Sequence, residues 1–141
     1  MWRIQTPEHV NSRHYSDKLS GMELSEFEGL VRQALTQIPP EITQHLGNVD
    51  LVVEERPSNE QLVGSGIGND QVLMGLYEGL PLTERDDYGM VLPDKITLFQ
   101  KAIEEFCVTH DEIVAEVRDT VVHEVAHHFG ISDERLDELG V

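Results

Sequence analysis

Cysteine is nearly absent: Cys107 stands alone in 141 residues. A single thiol excludes an intramolecular disulfide, nothing in its use points to an oxidising compartment, and a buried apolar role is expected for it. Positive charge is scarce as well, with 10 Lys plus Arg against 27 Asp plus Glu and a formal net charge of −17. Such a chain repels phosphate backbones and anionic lipid, so no nucleic acid and no membrane surface is expected among its partners. Most of the acidity is expected on solvated helix faces, with a preference for basic peptides as the alternative. Long apolar runs are missing too. Residues 1–21 mix Arg3, Glu8, His9, Arg13, His14 and Asp17, the pattern of neither a signal peptide nor a membrane span, and a cytoplasmic location is the default expectation. Repeats and low-complexity tracts are absent.

The length fits one domain, which buries roughly two thirds of its unfolded surface and needs no disulfide staples. Residues 1–21 read as a polar extension or a strand added at an edge, and residues 22–141 as the domain. Leu24, Phe27, Leu30, Val31, Ala34, Leu35 and Ile38 recur at helical spacing until Pro39 and Pro40, which predicts a helix over 24–38. Residues 41–46 add a short helical turn. The β-branched run at 49–55 reads as a strand closed by Arg56, Pro57, Ser58 and Asn59. Gly64, Gly66 and Gly68 suggest a phosphate cradle, but no Lys and no apolar helix follow, so a flexible loop is the better reading. Strands are expected at 72–78 and 96–100, a loop between them, and a helical segment at 101–108.

Thr109 and Glu112 stand in the T-x-x-E spacing of a capping box, which announces a helix running to Phe129, where Gly130 supplies the left-handed stop. Asp133 to Leu139 form a last short helix. The fold class expected is α/β (α+β): a mixed sheet of three or four strands packed on the 112–129 and 24–38 helices.

Residues 123–133 read HEVAHHFGISD. Residues four apart share a helix face, so His123 and His127 can both direct a ring nitrogen at one cation about 2.0–2.1 Å away. A straight helix cannot supply a third ligand, because later residues rotate away. A reversal at Gly130 brings the Asp133 carboxylate to the open side of the ion and leaves the fourth position for water. Glu124 projects about 100° round the helix from His123, near the metal's open side but too far round to coordinate, and is placed as a general base that takes a proton from the activated water and passes it to the leaving amine. Zinc is the metal expected and a peptide or protein the substrate. The five-residue pattern, which a random shuffle gives in roughly four cases per hundred, is only suggestive; the Gly and Asp that follow, the cap and the helical frame narrow it. His128 is assigned to solvent or to the surroundings of the ligands, and His9, His14, His45 and His110 have no ligand spacing. Tyr77, Arg85 and Tyr88 are candidates for oxyanion stabilisation, with packing or surface roles the simpler reading.

The segment HEVAHHFGISDERL, with GLYEGLPLTER at 75–85 and LPDKITLFQ at 92–100, resembles a family of small bacterial zincin-like proteins labelled as metallopeptidases. The resemblance runs from about Met22 onward. Its HExxHxxGxxD pattern looks like that of the metzincins with Asp for the third His. It implies a zincin-like core, ligand roles for His123, His127 and Asp133, and the base role for Glu124. Eight residues follow Asp133 and the last methionine is Met90, so no downstream Met-turn is expected. In zincins a sheet edge pairs with an extended peptide, which implies that role here for 72–78 or 96–100. The first functional reading is therefore a zinc-dependent peptidase. The second is a non-catalytic zinc- or peptide-binding module. A third borrows from bacterial ribonucleases with a His-rich helix followed by Gly and Asp; the negative charge and Glu124, where that pattern has Gly, count against it.

Overall fold

The computed structural model describes residues 4–5, 22–68, 71–79 and 93–141. Helix α1 spans Leu24–Leu35 and buries Phe27, Val31 and Ala34. It stops three residues before the expected end: Thr36 caps it, and Ile38 is buried from the segment leading to Pro39. Helix α2 (Pro40–Thr43) and one turn of 3₁₀ helix (Gln44–Leu46) follow, as the 41–46 reading anticipates. Strand β2 is Val49–Glu54.

Residues 59–65 then depart from the expected loop and form helix α3, Asn59–Ser65. Ser58 caps it: the Ser58 hydroxyl accepts the Gln61 N–H at 3.1 Å, and the Gln61 side-chain carbonyl accepts the Ser58 N–H at 2.8 Å. That reciprocal pair satisfies two of the donors a helix start leaves open. Gly64 lies inside the helix and Gly66 ends it at φ 74°.

The single strand expected at 72–78 is two strands, β3 (Val72–Leu73) and β4 (Gly75–Glu78), broken at Met74. β3 pairs antiparallel with β1 (Ile4–Gln5) in a separate two-stranded sheet. β5 is Asp94–Phe99, and α4 (Gln100–Glu105) is shorter than the helical segment expected to Val108. The main sheet has the order β2-β5-β4, with β2 parallel and β4 antiparallel to the central β5.

Helix α5 runs from His110 to Phe129 behind the complete Thr109–Glu112 capping box. Ile113, Val117, Val121 and Val125 recur at spacings of four and are fully buried; each contributes about 1.5–3 kcal/mol by leaving water. Alternation along the strands puts Leu51, Val53, Ile96, Leu98, Gly75 and Tyr77 on one face of the sheet, and α5 lies against it. The α5 helix is sandwiched between this face and α1. Helix α6 (Asp133–Leu139) docks through the buried Leu136. The fold is thus mixed α+β, with six helices and a three-stranded sheet among the described residues.

At Gly75 the strand and α5 touch so closely that an added Cβ would sit 2.5 Å from Thr120 Cγ2 and 3.4 Å from the Thr97 carbonyl oxygen. Gly75→Ala is expected to destabilise the protein by about 1–3 kcal/mol through overpacking, measured by urea unfolding. A midpoint equal to wild type would show that β4 can move off the helix without cost.

Candidate metal centre

The site is assembled at the C-terminal end of α5. His123 and His127, one turn apart, have ring centroids 6.3 Å apart. Gly130 adopts φ 74°, and its N–H and that of Ile131 both turn back to the Ala126 carbonyl, the latter at 2.8 Å. Glycine adopts this left-handed conformation without the clash a Cβ would bring. The reversed chain enters α6 with Asp133 as its first residue and Ser132 as its cap, the Ser132 hydroxyl accepting the Arg135 N–H at 3.1 Å. Two residues on, the Arg135 guanidinium donates to both carboxylate oxygens of Glu41, at 2.9 and 2.5 Å. That bidentate pair holds α6 against α2 and keeps the Glu41 carboxyl below its ordinary value, chiefly through the Arg135 hydrogen bond.

As a result one donor atom from each of His123, His127 and Asp133 lies within 4.8 Å of the others. Adjacent donors around a tetrahedral zinc ion are about 3.4 Å apart, given bonds of 2.0–2.1 Å. Small side-chain rotations span that difference. Two imidazoles and a carboxylate are a borderline-soft donor set of the kind zinc takes in catalytic sites. His123 is half-buried while His127 and Asp133 are exposed, so the trio is open to solvent.

Glu124 is placed differently from the sequence expectation. It lies on the core side of α5, one step beyond Thr120 in the buried stripe, and has no exposed surface. Oε1 accepts the backbone N–H of Tyr77 at 2.8 Å; Oε2 is buried with no hydrogen-bond partner. Burial pushes this carboxyl up to about 8, against the smaller opposing effect of the Tyr77 hydrogen bond. The neutral acid is therefore the resting form in the metal-free chain at neutral pH. Oε2 is thus a buried acceptor left without a protein partner on the residue that follows His123, the kind of group that calls for a functional explanation.

The consequence for stability has a definite sign. The folded state favours the protonated form, so the carboxyl's contribution is intact below about pH 4.5 and is lost as pH rises toward about 8. Linkage gives a loss of about 3 kcal/mol at pH 7. Glu124→Gln, which keeps the acceptor for Tyr77 and cannot ionise, is expected to be more stable than wild type in metal-free protein at pH 8 and nearly equal at pH 4.5. Urea titrations at the two pH values check this, and a difference independent of pH would contradict the buried, neutral carboxyl.

Sequence reading singled out Tyr77 and His128 but not Asp94, nor the contacts that join the three. Tyr77 is buried, its ring stacked on His128 at 4.0 Å and its hydroxyl donating to Asp94 Oδ2 at 2.7 Å. His128 is partly buried, with Nε2 3.9 Å from Asp94 Oδ2. His45 stacks on Phe129 at 4.3 Å. His110 starts α5, far along the helix from the ligands. Arg85, Tyr88, His9 and His14 lie outside the described residues. A cavity of about 720 Å³, lined by Glu54, Ser58, Gln61, Leu76, Glu78 and Lys95 among others, includes none of His123, His127 and Asp133.

A two-histidine helix, a glycine reversal and a carboxylate on the returning chain, set under a small mixed sheet, define a zincin-type metalloprotein. The chain belongs to the zincin-like metallopeptidase family, whose model matches residues 46–141. Membership implies a metal, usually zinc, and a peptidase-type activity. The chain is also similar to a solved structure of a conserved hypothetical protein from Thermo thermophilus, at 23% identity and a TM-score of 0.49, over 77% of this chain and 94% of that one. No curated protein matches it. Among the described residues no helix is long and apolar enough to cross a membrane.

Proposed function

We propose that the protein is a zinc-dependent peptidase in which His123, His127 and Asp133 hold the metal and Glu124 is the general base. The convergence of the three donor atoms to within 4.8 Å, with a glutamate carrying an unpartnered oxygen at the position after His123, carries this reading. A zinc ion held there would supply Lewis acidity and a nucleophilic water at neutral pH. Glu124 would work in its ionised form, positive charge at the ligand trio opposing the burial that keeps the carboxyl neutral. Its Oε2 would take the proton of the attacking water and deliver it to the leaving amine. Substrate would be a flexible peptide lying along the sheet edge. Of the two strands considered for that role β5 is central, which leaves β4, with its outward Tyr77 N–H already donated to Glu124.

The non-catalytic alternative, a zinc- or peptide-binding module, draws on one observation: Glu124 has no exposed surface, and a base must reach water. A broad peptide-library digest with the zinc-loaded full chain separates the two. The peptidase reading expects zinc-dependent cleavage abolished by chelation and restored by zinc. Stoichiometric zinc with no cleavage of any library member would contradict it.

A further inference from the structure

We propose that Tyr77 is a positioning residue for Glu124, presenting its backbone N–H at the outer edge of β4 to hold Oε1 and leave Oε2 to exchange the proton; this rests on the peptidase reading above. The direction of that N–H follows from the ladder. In an antiparallel pair successive residues face the partner strand and the outer side alternately. Phe99 N–H donates to the Met74 carbonyl at 3.0 Å, and the register pairs Gly75 with Leu98 and Tyr77 with Ile96. Leu76 and Glu78 therefore face β5, and Gly75 and Tyr77 face outward. An outward N–H at a buried edge needs an acceptor, and the Glu124 carboxyl is that acceptor at 2.8 Å.

Three contacts set where the N–H lies. The ring stacks on His128 of α5 with planes 19° apart, the hydroxyl reaches Asp94 at the start of β5, and the backbone meets Glu124, again on α5. Two residues earlier, Gly75 brings β4 into contact with Thr120. Tyr77 is thus tied to the ligand-bearing helix twice and to the central strand once. A glutamate side chain otherwise has several rotamers to sample, and ordering it costs free energy at every turnover. Here the fold has ordered one oxygen in advance.

The test uses the full chain, with and without zinc, and reads solvent exchange of the residue-77 amide by NMR together with kcat and KM on a cleaved library peptide. Tyr77→Phe and Asp94→Ala each remove the hydroxyl anchor while keeping the backbone donor. Each is expected to raise amide exchange at residue 77 about tenfold and to lower kcat about tenfold with KM within about twofold. The double variant should be no worse than Asp94→Ala alone, because that substitution already removes the acceptor of the Tyr77 hydroxyl. Asp94→Asn keeps an acceptor oxygen and should return both readings toward wild type. A role confined to packing would lower the unfolding midpoint and leave kcat and residue-77 exchange alone; that result, or additive losses in the double variant, overturns the proposal. Exchange is read without turnover, so a wild type that cleaves nothing contradicts the peptidase reading, while unchanged exchange in both single variants contradicts the anchored donor itself.

Discussion

Glu124→Gln is expected to lower kcat by about 10²–10⁴-fold, the range a positioned general base contributes, while zinc stays bound at one equivalent. The substitution is nearly isosteric. The introduced glutamine still offers a carbonyl oxygen to the Tyr77 N–H, the contact Glu124 makes at 2.8 Å, so the helix and strand keep their spacing. What is lost is the ability of the second position, the Oε2 that has no partner, to accept a proton from water. Steady-state kinetics with zinc quantified in the same samples separate the outcomes. A large kcat loss at full zinc occupancy places Glu124 in the proton path. Wild-type turnover in the variant would remove it from the mechanism, and loss of zinc in the variant would assign the carboxyl a binding role instead.

The second large effect is on the metal. Structural zinc sites bind with about 10–16 kcal/mol shared among four donors, so removing one protein ligand should weaken zinc by about a hundredfold or more. His123→Ala, His127→Ala and Asp133→Ala are each expected to do this, measured by competition with a chromophoric chelator. Asp133 is the informative case. It comes from a different helix, α6, and reaches the trio only because Gly130 reverses the chain at φ 74°. If Asp133→Ala binds zinc as tightly as wild type while the histidine variants do not, the third donor lies elsewhere.

The convergence of His123, His127 and Asp133 was legible in the sequence because every step in building it is local. Helical spacing pairs His123 with His127, a T-x-x-E cap starts the helix, and a glycine ends it, each within a few residues of the next. The surroundings of Glu124 depend on distant chain. Glu124 and Tyr77 are 47 residues apart, and no local pattern specifies that an edge-strand N–H will fall on that carboxyl. One signal did point to burial: Ile113, Val117, Thr120 and Glu124 follow the helical repeat, which puts the glutamate on the core stripe and away from the open side of the site. Helix α3 also left a readable trace, the S-x-x-Q spacing of Ser58 and Gln61, which the glycines after it obscured. The break at Met74 had none. Strand pairing outranks β-propensity there, since β3 is bound to the N-terminal strand and β4 to the central one.

Zinc-edge X-ray absorption on the full chain loaded with one equivalent of metal tests the central claim most directly. Nitrogen and oxygen neighbours at about 2.0–2.1 Å are expected, together with the more distant scattering of two imidazole rings, and one imidazole fewer in His127→Ala. Scattering without imidazole, or a spectrum unchanged when both His123 and His127 are replaced, would contradict a metal held by these side chains.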